Sequence, residues 1–417
     1  MTLSFKENGD VKIYDIKITN SNGSDTKDIR GQVKQVSIYE DLEEPTLFCD
    51  ILIDDQIDLV TKLPILGEET ISISFKSPFR DDIITYKLRV FNISSEAVIE
   101  SNLGKVYKLQ CVSSDHFNGT TKNVQRYYED TIDNIVKDIL TNIIKTDKKL
   151  FIEQTKGIIK WTMPRCKAFE AIDLLRQRAI SATAKTGGVF VFYEDQLGYH
   201  FVSLETLLEK GKSTIESRVF TYSPATKEDP QREAHNFRNL INFEHLKKTD
   251  TAGKLSGGVF NNITKSYDIL TKGFEEVKFK LTEQAGKIET GQNKKTTLPN
   301  SASFINDQSS NDAYKFFAPK DSSKNPDFIA DYLSYKQAYA TLFNQNIVRG
   351  YVHGDSNLKA GDLIELKLPD TSGIKTSDKK DSNYSGNYIL TKLRHFIYLD
   401  DGRFKHRVSF DCNKVGW

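Results

Sequence analysis

The chain of 417 residues is short of the residues that mark most catalytic and membrane classes. It has four cysteines, Cys49, Cys111, Cys166 and Cys412, and no Cys-x-x-Cys pair. Structural zinc is therefore disfavoured, and a disulfide framework is unnecessary at this length, so four reduced core thiols are expected. No stretch of about 18 apolar residues exists, which excludes a membrane-spanning helix and predicts no membrane insertion. The start, Met1-Thr2-Leu3-Ser4-Phe5-Lys6, lacks the apolar segment of a secretory signal, so folding in the cytoplasm of the producing cell is expected. A charge excess is missing too: 58 Lys+Arg stand against 57 Asp+Glu. Tight nucleic-acid binding rests on phosphate neutralisation by a basic surplus, and is disfavoured as the main task.

Catalytic motifs are as scarce. The seven histidines, His116, His200, His235, His245, His353, His395 and His406, include no His-Glu-x-x-His. Gly253-Lys254 is not a phosphate loop, because Lys248 occupies the position of the required first glycine. Gly354-Asp355-Ser356-Asn357 resembles the opening of a Gly-Asp-Ser hydrolase block. Such an enzyme also needs a histidine with an aspartate three residues before it. Lys392 precedes His395 and Arg403 precedes His406, so neither supplies the carboxylate, and a polar turn is the better account. Asp50, Asp54 and Asp55 lack calcium-loop spacing; Asp50 and Asp54 read as the wet face of a strand. Glycosidase carboxylates carry weak signatures and cannot be picked from 57 acids. No catalytic, cofactor-binding or metal-ligating residue is assigned, no cofactor is expected, and a non-enzymatic role follows.

What the chain does hold is alternation. Hydrophobic residues make up 38% and aromatics 11%, enough for packed cores. Ile71, Ile73 and Phe75 alternate with serines; Ile84, Tyr86, Leu88 and Val90 alternate with polar residues; so do Tyr107, Leu109 and Cys111, and Cys49, Ile51 and Ile53. A period of two buries one face of a strand. Residues 1–115 therefore read as a first small antiparallel barrel. The period then becomes helical at Ile132, Ile135, Val136, Ile139, Leu140 and Ile143, and a second helix is predicted after Pro164, with Phe169, Ile172, Leu175 and Ala179 inward. Val189 to Phe192, a turn at Asp195–Gly198, and Tyr199 to Val202 read as a hairpin covered on both faces. Residues 116–225 form an α+β middle domain in this reading. Residues 226–326 are an insertion, partly extended over Ser266–Leu281 and a polar surface loop over Thr282–Lys324. Residues 327–417 begin with a helix over Asp327–Phe343. Strands follow over Ile364–Leu368, Tyr388–Phe396 and Phe404–Phe410, with a hairpin turn at Asp400-Asp401-Gly402, making a second barrel. The predicted class is α+β, mainly β: two small antiparallel β-barrels flanking an α+β middle domain, with a polar insertion before the second.

Several stretches resemble a family in this order. They are Val36-Ser37-Ile38-Tyr39-Glu40-Asp41, Leu47-Phe48-Cys49-Asp50-Ile51-Leu52-Ile53-Asp54 and Leu63-Pro64-Ile65-Leu66-Gly67-Glu68-Glu69. The segment Trp161 to Leu204 follows, then Asn357-Leu358-Lys359-Ala360-Gly361-Asp362-Leu363-Ile364 and Gly386-Asn387-Tyr388-Ile389-Leu390-Thr391-Lys392-Leu393-Arg394-His395. Together they look like baseplate central hub proteins of contractile-tailed bacteriophages; the second-barrel pattern is also similar to type VI secretion spike proteins. The resemblance implies a homotrimer whose six barrels form a pseudo-sixfold ring. It implies contacts with a tail tube protein, a central spike protein and baseplate wedge or other hub proteins. Tape-measure protein and DNA would pass through the lumen. It implies a place in the virion tail baseplate, after assembly in the bacterial host's cytoplasm. The alternatives are a tail-associated glycan- or peptidoglycan-cleaving enzyme, the spike base of another contractile injection system, and a host-surface binding module.

Overall fold

The computed structural model describes residues 9–63, 65–78, 80–99, 104–222, 238–246, 251–268, 271–284, 288, 315–320, 329–369 and 384–415. The N-terminal third is all strand apart from one helical turn: β1 Lys12–Thr19, β2 Thr26–Asp28, β3 Val33–Asp41, β4 Phe48–Asp55, β5 Thr70–Lys76, β6 Ile84–Ile99 and β7 Gly104–Ser113. The alternation expected there is met. Ile71, Ile73, Phe75, Val90, Leu109 and Cys111 are fully buried in one apolar core. On β4, Cys49, Ile51 and Ile53 point in, while Asp50 and Asp54 meet Lys108 and Lys34 across the sheet at 3.3 and 3.1 Å.

The middle region carries β8 Asn123–Val124, β9 Tyr127–Thr131, β10 Lys149–Ile152, β11 Ile158–Thr162, β12 Cys166–Lys167, β13 Phe190–Asp195 and β14 Gly198–Ser203. The first predicted helix spans Ile132–Asp138 and widens into a π turn over Ile139–Ile144. The second follows Pro164 but starts at Ala168, so the proline is not its first residue. Pro164 precedes the short strand β12, and Glu170 reaches back to the Lys167 amide at 2.8 Å to satisfy the helix start. The 190–203 hairpin forms as predicted, with all of β13 buried.

β15 Val219–Thr221, β16 Leu240–His245, β17 Asn261–Asp268, β18 Gly273–Lys280 and β19 Lys315–Lys320 follow. Most of the predicted polar loop 282–324 lies outside the described residues, but Lys315–Lys320 is a strand, paired in parallel with β17. The helix Ile329–Phe343 packs on this small sheet through Phe279 and Tyr335 and through Ser334, which donates to Asn262. β20 Asn346–His353, β21 Leu363–Lys367, β22 Gly386–Asp400 and β23 Arg403–Lys414 complete the chain. The turn between the last two uses positive φ at Asp401 and Gly402, as the Asp-Gly pair predicts.

The protein is thus mainly β, with large antiparallel sheets. Its two β regions are not separate flanking bodies. β22 pairs with β3 antiparallel from Lys392↔Asp41 to Tyr398↔Gln35. The principal sheet consequently runs β16-β20-β23-β22-β3-β4-β7-β6-β5-β1-β2, with β21 and β15 branching from β22. Its described strands follow an open path. The far end of β22 even enters the N-terminal core, where Ile397 is fully buried and Phe404 packs alongside.

Candidate assembly site: a three-way joint and a shared sheet face

The loop between β20 and β21, residues 354–362, is the meeting point of all three regions. From the N-terminal sheet, Ser77 and Ser356 share a hydroxyl–hydroxyl bond of 2.5 Å, and Arg80 donates to the Ser356 carbonyl at 3.2 Å. Arg80 also donates to Gln196 at 3.1 Å, in the turn of the middle hairpin. Glu40 of β3 accepts from the Ala360 amide at 2.9 Å. From the middle region, Asp195 approaches Lys359 at 3.9 Å, and Arg218 pairs with Asp362 at 3.0 Å. Leu358 and Ala360 are buried in the two cores that flank the loop.

This settles where the Gly-Asp-Ser residues stand. Ser356 is buried and bonded to Ser77. Asp355 accepts from the Asn357 amide at 2.8 Å, a tight polar turn. Gly354 is required, because a Cβ there would sit 2.2 Å from the His406 ring. His395 and His406 face each other at 3.1 Å, wholly buried beneath the loop, with His395 also bonded to the Leu358 backbone. Burial pushes His395 down to about 4, helped by the charge of Arg80, and His406 well below the usual range, helped by His395. They are packing residues of a buried seam.

The joint gathers carboxylates that the sequence reading left unassigned. Glu40 is buried, its Oε1 has no hydrogen-bond partner among the described residues, and burial pushes its carboxyl up to about 8. Asp362 is pushed up to about 6 by burial, held down partly by Arg218 and Lys359. A second buried acid, Glu194, ties the middle hairpin to the N-terminal sheet. It accepts from Lys148 at 2.5 Å, Ser113 at 3.2 Å and the Leu47 amide at 3.4 Å. The signal for Glu40 was present in the sequence: it stands in phase with Val36 and Ile38, on the apolar side of its strand. Cys49, Cys111 and Cys412 are buried free thiols and Cys166 is half-buried. Burial pushes all four thiols up, away from the reactive thiolate. Cys49 and Cys111 prove to be cross-strand neighbours.

Beyond the joint, the β3–β22 pairing gives the two halves a common outer face. Successive rows cross it: Arg349, Asp411, Lys392 and Asp41, then Tyr351, Ser409, Arg394, Tyr39 and Phe48. Each is at least partly exposed.

No protein-family model matches the sequence, and no curated protein does. Solved structures do match. The tail protein from Neisseria meningitidis MC58 aligns with TM-score 0.52 at 11% identity, covering 96% of this chain and 96% of that one. The 43 kDa tail protein of prophage MuSo2 from Shewanella oneidensis aligns with TM-score 0.50 at 8% identity, covering 95% of this chain and 97% of that one. The chain has the fold of these tail proteins. The likeness expected from the 33–77 and 357–395 segments is met at that level. The c3393 protein of E. coli, a type VI secretion component, aligns with TM-score 0.46 at 12% identity over 98% of this chain and 76% of that one.

Proposed function

We propose that this chain is the structural hub of a phage-tail baseplate, three copies of which form a pseudo-sixfold ring between tail tube and central spike. The observation that carries the reading is the β3–β22 pairing. It sets four strands of the N-terminal half (β3, β4, β7, β6) edge to edge with four of the C-terminal half (β22, β23, β20, β16). Three such chains supply six four-stranded units, an arrangement that suits a sixfold tube on one side and a threefold spike on the other. Two of the sheet's open edges among the described residues suit such a junction. One is the outer edge of β16. The other is β6 beyond Arg89, where pairing with β5 ends while pairing with β7 continues to Ile99. Open edges are templates for another strand. In this reading β6 of one copy takes β16 of the next, and the closed sheet surrounds a channel for tape-measure protein and DNA.

Residues 1–115 and 327–417 are then the two ring-forming β units, joined by β16 from the 226–326 insertion, and 116–225 is the α+β domain on the outside. The wedge or other hub proteins dock on that outer part, and the assembled ring belongs to the virion tail. A structural rather than catalytic role is supported by the joint, where Ser356, Glu40 and Asp362 each bond to a neighbouring region and His395 and His406 pack beneath the loop. Native mass measurement tests the reading: a species of three 47.5 kDa chains is expected. A chain that stays monomeric at high concentration and adds no density on the axis of tail particles would sink it.

A further inference from the structure

We infer that the outer sheet face of the C-terminal half carries a groove for an acidic, partly apolar stretch of an extended protein chain. The groove, of about 330 Å³, lies across β16, β20, β23 and β22 and is lined by Ile241, Tyr351, Ser409, Arg407, Arg394 and Phe396. Its two arginines differ from four other cations of this face. Arg349 is paired with Asp411 at 2.7 Å, Lys392 with Asp41 at 2.8 Å, Lys405 with Asp10 at 2.8 Å and Lys108 with Asp50 at 3.3 Å. Arg394 and Arg407 have no carboxylate within 4.0 Å among the described residues.

They are nonetheless held in place. The Arg394 guanidinium lies 4.5 Å from the Phe396 ring centre and 5.6 Å from that of Tyr39, and it donates to Ser37 at 2.9 and 3.3 Å. Arg407 lies 5.4 Å from the centre of the Tyr398 ring. Stacking on aromatic rings fixes the plane of a guanidinium and leaves its outward N–H groups free for an anion. Much of the ordering entropy of binding is thus already lost before a ligand arrives. A carboxylate matches the fork. The partly exposed Ile241 and Tyr351, at 44% and 38%, add an apolar wall beside it. On an extended segment, residues two apart share a side, so an acidic residue followed at that spacing by an apolar one fills both.

Nucleic acid is the poorer match. A phosphate backbone is held by rows of unpaired cations, and here Arg349, Lys392, Lys405 and Lys108 are each neutralised by an aspartate. In the proposed ring this face turns to the channel, so the ligand is a protein segment that runs along or ends within it. That placement rests on the ring reading; the groove itself lies within one chain.

The test is fluorescence anisotropy on the full chain with two labelled, end-blocked peptides. One alternates leucine with glutamate, the other leucine with glutamine, and a short DNA duplex serves as competitor. The glutamate peptide is expected to bind about tenfold or more tightly than the glutamine peptide. Arg407→Ala, at an exposed position outside the joint, is expected to weaken it about tenfold with an unchanged circular dichroism spectrum, and Arg407→Lys by less. Equal binding of the two peptides, binding of neither, unchanged affinity in Arg407→Ala, or displacement by the duplex at matched charge overturns the inference. Light scattering on the same samples separates the two claims. A trimer that ignores the peptide overturns the groove alone; a monomer that binds it overturns the ring alone.

Discussion

Glu40→Gln is expected to stabilise the protein, by an amount that grows with pH. Glu40 sits in the joint with its carboxyl pushed from 4.5 up to about 8, by burial first and then by Asp195 and Asp362. At neutral pH it therefore keeps its proton in the folded state, while in the unfolded chain it is ionised. The folded form binds the extra proton between pH 4.5 and about 8, so its contribution is fully present below the lower value and is lost as pH rises through the upper one. A shift of that size corresponds to roughly 5 kcal/mol when each pKa unit counts about 1.4. Glutamine has the same shape, keeps an oxygen for the Ala360 amide and never ionises. Its nitrogen takes the place of the unpartnered Oε1 and carries no charge beside Asp195 and Asp362. The two proteins should have similar urea midpoints near pH 5, and the variant should lead increasingly up to pH 9. Asp362 is present in both, so its own titration largely cancels in the difference. A midpoint difference that stays flat across this range, or that favours glutamate at high pH, would refute the account of the joint.

The buried His395–His406 pair predicts the opposite trend on the acid side. Both pKa values are depressed in the fold, so stability is full above about pH 6.5 and declines as pH falls toward 4, by roughly 3 kcal/mol from His395 alone. Thermal melts at pH 7 and pH 4.5 check this, and His395→Phe should flatten the profile. Lys148→Met removes the cation beside Glu194, whose side chain is 4% exposed. A loss of about 3 kcal/mol is expected at pH 8, shrinking at pH 5 as the stranded acid takes up a proton; denaturant midpoints at the two pH values decide it.

Much of the local structure was legible because its cause is local. The alternation at Ile71, Ile73 and Phe75, the covered hairpin 190–203 and the Asp401-Gly402 turn all follow from neighbours within a few residues. What escaped was pairing at long range. β3 and β22 lie some 350 residues apart, and each simply shows a strand with one wet face, which says nothing of its partner. β16 and β19 escaped for another reason. Residues 241–245 of β16 are exposed or nearly so, and the 315–320 strand contains Pro319, so neither shows the apolar alternation that announces a strand. The joint was half legible. Its acid Glu40 and its histidine His395 both stand in the apolar phase of their strands, but nothing in the loop at 354–362 announces that it would use them.

The position of that loop bears on how a ring could transmit force. A β–β junction resists sliding, because a one-residue slip would turn every side chain to the wrong face. It resists bending less well, since a sheet can twist about the pair of strands. The 354–362 loop acts against that motion from three directions: Ser77, Arg80 and Glu40 on one half, Leu358 and Ala360 in two cores, and Lys359 and Asp362 toward the middle region. Most of these contacts are polar and buried, so partial opening would strand charges in a buried seam rather than loosen it gradually. The two halves are therefore expected to move as one body, with any flexing placed at the open edges of β16 and β6, where copies would meet.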